Sequence, residues 1–210
     1  MRRITFLSIL AGLFVFAAAI PSHAIFELRV NYGFNFAAPK KLNDAIKAGG
    51  GDEIKSESGL GFDGLFNIPM IPIGFGLRYE KLSTTGKQGG SFDYETGFSR
   101  LGLLVNYRLI DTGMYAGPIA SIGFSDSATY SQSSGGSSTD FTSSNKTSFS
   151  IGFEGGAKFD MFMLGGELGY LSANYGVPKN NSNDLLNSSG ESVPLDFSGV
   201  YAKIQAGFSF

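Results

Sequence analysis

Cysteine is absent from this 210-residue chain, and so is tryptophan. Without a thiol there is no disulfide framework, no lipid-attachment cysteine and no thiol chemistry. Histidine occurs once, at His23. That residue falls in a segment read below as a removable leader. Beyond it no side chain has an ordinary pKa near neutrality, so the usual base of Ser- and Cys-nucleophile hydrolases is missing. A carboxylate raised by burial would have to replace it. Zinc-type ligand sets fail for the same want of His and Cys. No catalytic, cofactor or metal site is expected. Gly49-Gly50-Gly51-Asp52-Glu53 carries oxygen ligands suited to a hard cation but reads as a turn.

Basic runs are also missing. The chain has 16 Lys and Arg against 18 Asp and Glu. Nucleic acid is therefore not an expected partner. Long apolar runs are confined to the start, MRRITFLSILAGLFVFAAAIPSHA. Arg2 and Arg3 form a basic head, Ile4 to Ile20 is almost wholly apolar, and Ser22-His23-Ala24 is a small-x-small cleavage site. Residues 1–24 read as a secretory signal peptide. An uncleaved anchoring helix fits less well, because no stop-transfer charges follow. Its removal takes two basic and no acidic residues, leaving 14 against 18 and a net charge of −4. Residues 25–210 suit one domain.

What the chain has in quantity is Phe, 20 residues, and Gly, 30. Read with a period of two, these resolve into eight alternating segments. The first, 25–36, sets Phe26, Leu28, Val30, Tyr32, Phe34 and Phe36 against Glu27, Arg29, Asn31, Gly33 and Asn35. The second and third, 59–68 and 71–80, alternate likewise. The fourth runs from Phe92 to Leu109, and its upper half, FDYETGF, falls one residue out of phase with LGLLVNYRL. A β-bulge near Ser99-Arg100 would reconcile them. The fifth, 114–125, is the least regular; Ala116, Pro118, Ala120, Ile122 and Phe124 make its better apolar face. Segments 148–160 and 162–171 follow, and the eighth begins near Phe197 and ends on YAKIQAGFSF.

Connections alternate in length. Pro69-Met70, Ile110-Asp111-Thr112-Gly113 and Asp160-Met161 are short; 37–57, 82–91, 126–146 and 172–196 are long. This is the pattern of an all-β, eight-stranded antiparallel up-and-down transmembrane barrel, with short periplasmic turns and long outer loops. Each segment is close to the roughly 9–11 residues that a tilted strand needs to span hydrocarbon. A soluble barrel of lipocalin type would bury the apolar face instead. Three features oppose that. The polar face is mostly Gly, Ser and Asn with isolated charges, where a wetted surface would carry more Lys and Glu. Small residues suit a narrow lumen. Aromatics gather near one rim (Phe26, Phe66, Tyr107, Phe159, Phe162, Phe208, Phe210), as an interfacial belt requires.

A leader, eight alternating strands and a last strand ending on Phe210 resemble the small outer-membrane barrels of Gram-negative bacteria. The OmpX/Ail group and the membrane domain of OmpA are the nearest types. The resemblance covers 25–210 and rests on architecture and the terminal aromatic. It implies an outer-membrane location with a periplasmic N-terminus, and outer-membrane lipid and lipopolysaccharide as surroundings. It also implies that Phe210, with Tyr201 and Phe208, forms the signal read by the barrel-assembly machinery.

The inward faces carry Arg29, Arg78, Arg108, Lys158 and Lys203 against Glu27, Asp63, Glu80, Glu154 and Glu167. Such charges must pair when desolvated. The expectation is an ion network that plugs the lumen; the alternative is a narrow porin-like channel for ions or small solutes. A structural or surface role then falls to the outer loops, through contacts with lipopolysaccharide, a host ligand or other surface proteins. In the first loop Leu42, Ala45 and Ile46 form one face of a short helix ended by Gly49, either packed over the barrel mouth or standing as an exposed stub. The third loop is low-complexity Ser/Thr/Gly, mobile or a flexible β extension. The fourth has an apolar patch at Leu185 and Leu186.

Overall fold

A computed structural model describes residues 25–37, 39–88 and 92–210. The leader expected over 1–24 lies outside the described residues. Eight long strands form one antiparallel sheet: β1 (Phe26–Asn35), β2 (Glu57–Asn67), β3 (Ile73–Gln88), β4 (Phe92–Tyr107), β5 (Met114–Ser134), β6 (Ser137–Phe159), β7 (Phe162–Ser172) and β8 (Gly199–Ser209). Each pairs with its neighbours in sequence, and β8 returns to pair with β1, from Glu27 opposite Ser209 to Asn35 opposite Tyr201. Phe26 N–H donates to the Phe210 carbonyl at 2.8 Å, and Phe210 N–H to the Phe26 carbonyl at 2.9 Å. The sheet is therefore a closed barrel without an edge along the seam.

The barrel is inside out. Leu28, Val30, Phe62, Phe75, Leu103, Ile151, Leu168 and Ile204 are exposed, while Glu27, Arg29, Asp63, Arg78 and Glu154 are buried. On β5, Pro118, Ile122 and Phe124 face out, and Tyr115, Ile119 and Ser121 face in, which settles the facing of that strand. The aromatic rim at the short-turn end is continuous in places: Phe26 meets Phe66 at 5.3 Å and Phe162 meets Phe208 at 4.9 Å between ring centroids.

Two expectations require correction. The strand β4 has no bulge at Ser99-Arg100. Its inward face runs unbroken through Tyr94, Thr96, Phe98, Arg100, Gly102, Leu104 and Asn106. The extra residue lies across the ladder on β5, where Leu101 faces Ser125 but Gly102 faces Gly123. The aromatics of FDYETGF looked out of phase because an inward face was assumed to be polar. Above the lipid level that assumption fails, since Tyr94 and Phe98 build an apolar core. The second correction concerns 82–88, expected as loop and found as strand. Of the two readings of 126–146, mobile or a β extension, the structure shows the extension, and β3–β4 and β5–β6 rise as hairpins well past the greasy band. The turn Gly135-Gly136, with φ of 58° and 87°, closes the taller hairpin in a conformation that favours glycine.

Over the mouth sits a dome. A helix α1 (Lys40–Ala48) lays Leu42 and Ile46 into a cluster with Tyr94, Phe98, Tyr130, Tyr175, Leu195 and Phe197. Asn43 pins the helix by a paired contact, its side chain donating to the Ile54 carbonyl and accepting from Ile54 N–H, both at 2.8 Å. Leu185 of the last long connection is buried in the same cluster, whereas Leu186 is exposed.

The band makes a quantitative demand. Val30→Arg, in the greasy face, should cost about 2–4 kcal/mol of barrel stability. Thr85→Arg, above it, should fall within about 0.5 kcal/mol of wild type. Equilibrium unfolding from lipid vesicles measures both, and equal effects would contradict the lipid-facing assignment.

Candidate functional site

Period-two alternation on eight strands aims charged side chains at an interior about wide enough for side chains to fill. They meet there in two tiers. Near the short turns, Arg29 donates through Nε to Glu27 Oε2 at 3.0 Å and through Nη1 to Glu154 Oε2 at 2.7 Å. Arg108 Nη2 reaches the same Glu27 oxygen at 2.8 Å, and its Nε lies 3.1 Å from Glu154 Oε1. Asn106 donates to Glu154 at 2.8 Å. The Arg108 guanidinium stacks 4.2 Å from the Tyr115 ring centre, and the Tyr115 hydroxyl accepts from Gln205 at 2.9 Å. That phenol lies against glycine: a Cβ on Gly165 would stand 2.1 Å from its oxygen. Lys158, at the short-turn end, pairs with Asp111 at 2.5 Å and Glu27 at 3.6 Å.

The second tier is built on Arg78. Its guanidinium is bidentate to Asp63 (both contacts 2.8 Å) and also to Glu167 (2.8 and 2.6 Å). Tyr201 donates its hydroxyl to Glu167 at 2.5 Å. Lys203 pairs with Glu80 and stands 3.4 Å from Glu167. Arg100 lies 3.5 Å from Glu80 and donates to Ser121 at 2.7 Å. All ten charges placed inward by the alternation of the sequence thus lie in these two tiers. The sequence reading missed Arg100, because the expected bulge fell on it and left its facing unassigned, and Asp126, because it was assigned to a loop. It also missed Glu57, which precedes the segment then read as strand.

Above the second tier the lumen ends. A cavity of only about 10 Å³ separates Glu80, Arg100 and Lys203 from Leu82, Phe98 and Leu171 of the dome. The dome core is aromatic: Phe98 packs 5.3 Å from Phe197 and 5.9 Å from Tyr175. Burial pushes the Tyr130 phenol up to about 12, and Tyr175 is raised as well. Chemically the arrangement neutralises charge and fills space. Of the three residues singled out as an assembly signal, Phe208 faces outward and Phe210 lies beside Phe26 at 6.4 Å, whereas Tyr201 points into the lumen. The structure brings the first two to the outer rim and leaves Tyr201 on the opposite face.

Breaking a tier leaves buried charge uncompensated. Glu167→Ala strands Arg78 against one carboxylate and should lower stability by about 3–5 kcal/mol. Lys47→Ala, which breaks the exposed Lys47–Glu53 pair, should change it by less than about 1 kcal/mol. Denaturant midpoints in micelles distinguish the two; equal losses would show that the lumen pairs carry no special weight.

No known family's sequence profile matches this chain, and no curated protein matches it. Similarity appears in three dimensions. Ail, the attachment invasion locus protein of Yersinia pestis, aligns with a TM-score of 0.55 at 12% identity, over 90% of this chain and 100% of Ail. A major outer membrane protein from Thermus thermophilus aligns with a TM-score of 0.55 at 13% identity, over 88% of this chain and 99% of that one. At such identities the likeness concerns the fold. With a closed ring, an inverted hydrophobic pattern and these neighbours, the chain has the fold of the small eight-stranded outer-membrane β-barrels.

Proposed function

We propose that this protein is an outer-membrane surface protein with a plugged lumen. Its short turns and N-terminus face the periplasm, and its dome and tall hairpins face outside. The observation that carries this reading is the double seal. Paired charges fill the lumen through two tiers, and a packed apolar core closes the mouth above them. A conducting path would need both to open. The outer parts, by contrast, are large and folded, so the exposed material is held in fixed positions where contacts can be specific. Its partners on this reading are lipopolysaccharide, host ligands or other surface proteins. The absence of histidine beyond His23 supports a non-enzymatic role. Phe208 and Phe210, at the rim of the closing strand, suit a signal read during barrel assembly; Tyr201 is assigned to it with less structural reason, since it faces inward.

The test pairs two readouts. Outer-membrane fractions should contain a heat-modifiable band whose tall hairpin is cut by external protease near Gly135. In planar bilayers neither wild type nor Glu154→Ala should show defined conductance steps. Regular steps that grow in the variant would favour the narrow channel instead.

A further inference from the structure

The hairpins that rise above the greasy band have two faces. The inner face carries Leu82, Tyr94, Phe98, Ala128 and Tyr130 and belongs to the dome core. The outer face is of another kind. One step above Tyr79 and Leu101, a row crosses four strands through Lys81, Ser99, Ser127 and Ser144. The next row is Ser83, Gly97, Thr129 and Thr142. Two further rows continue through Thr85, Ser131, Ser133 and Ser138. Short hydroxyls fill ten of the sixteen positions, and five of the others are charged. Strand geometry sets them on a grid of about 4.8 Å by about 6.7 Å. No aliphatic or aromatic side chain interrupts the grid among the described residues.

Charge on this face balances. Lys81, Lys87 and, at the foot, Lys146 stand against Asp93, Glu95 and Asp140. A phosphate-binding surface would gather Arg and Lys without acids between them. A protein-binding surface would present aromatic or Arg anchors at its centre. This face does neither. Each hydroxyl both donates and accepts, and Ser and Thr lose little side-chain entropy on being ordered. The face is continuous with the lipid-facing band and looks sideways over the membrane surface, so its neighbours are whatever the outer leaflet raises to that height. We infer that the outer face of β3–β6 is a contact surface for the core saccharide of outer-leaflet glycolipid, engaged through the hydroxyl rows and not through phosphate. The inference rests on the outer-membrane placement proposed above.

The lack of native cysteine makes a single thiol diagnostic. Thr129→Cys and, on the last long connection, Ser188→Cys are each refolded as full mature chains into three kinds of vesicle: phospholipid alone, phospholipid with lipid A, and phospholipid with lipopolysaccharide bearing its core saccharide. A membrane-impermeant maleimide then reports access. The Thr129→Cys thiol should react about tenfold more slowly with lipopolysaccharide than in the other two, the factor that one or two net hydrogen bonds provide. The Ser188→Cys thiol should react alike in all three. Adding Ser127→Val and Ser131→Val should restore fast reaction at Thr129→Cys. Equal slowing by lipid A, whose headgroup is a phosphorylated disaccharide without the core, would assign the contact to that headgroup and overturn the inference. So would slowing that survives the valine pair, which is passive shielding, or no slowing at all. Heat-modifiable migration scores insertion separately. A chain that never inserts counts against the placement, whereas an inserted barrel without saccharide protection counts against the contact alone.

Discussion

Hydrocarbon satisfies no hydrogen bond, and every feature of this barrel follows from that. A backbone N–H or C=O left open in the bilayer core costs several kcal/mol. Eight strands can meet that demand only by closing, and the seam between β1 and β8 closes it down to the mutual hydrogen bonds of Phe26 and Phe210. The same constraint governs the side chains. Charges cannot face lipid, so period-two alternation sends them all to one interior, where they must find each other. Arg78 does so with two bidentate carboxylates, and Arg29 and Arg108 share Glu27 and Glu154.

Above the lipid the constraint lapses and the alternation changes meaning. Water reaches the outer face there, so that face becomes Ser and Thr. The inner face, no longer needing to store charge, becomes Tyr94, Phe98 and Tyr130. The β5 bulge at Phe124-Ser125 lies at this changeover. It keeps Phe124 toward lipid while bringing Asp126 inward beside Ser148 and below the dome. The chain thus contains an inside-out barrel and, stacked on it, a sheet of ordinary polarity capped by α1 and the last long connection. The two halves are joined through continuous strands, so ordering of the dome is tied to the register of the barrel.

This division explains what could be read without coordinates. Within the band, alternation is strict, and Glu27, Arg29, Asp63, Arg78, Glu154 and Lys203 were all legible as inward. The short face of α1, Leu42 and Ile46, was legible too, although spacing alone left open whether it packs over the mouth or stands exposed. What failed was the assumption that one rule of polarity holds along a whole strand. It produced a bulge in β4 that does not exist, hid Arg100, and made a loop of the residues that extend β3. Pairing partners across the lumen, such as Arg78 with Glu167, were not readable at all, since they depend on barrel tilt and not on spacing along any strand.

The most direct test of the central claim uses the missing tryptophan. Leu103→Trp places an indole on the outer face, and Tyr115→Trp places one in the lumen. Each is then the sole tryptophan in the chain, and each is refolded into vesicles whose acyl chains carry bromine. Strong quenching of the first and little of the second is the expected result. Quenching of the second as deep as the first, or of neither, would contradict a barrel that turns its apolar face to lipid and its charges to one another.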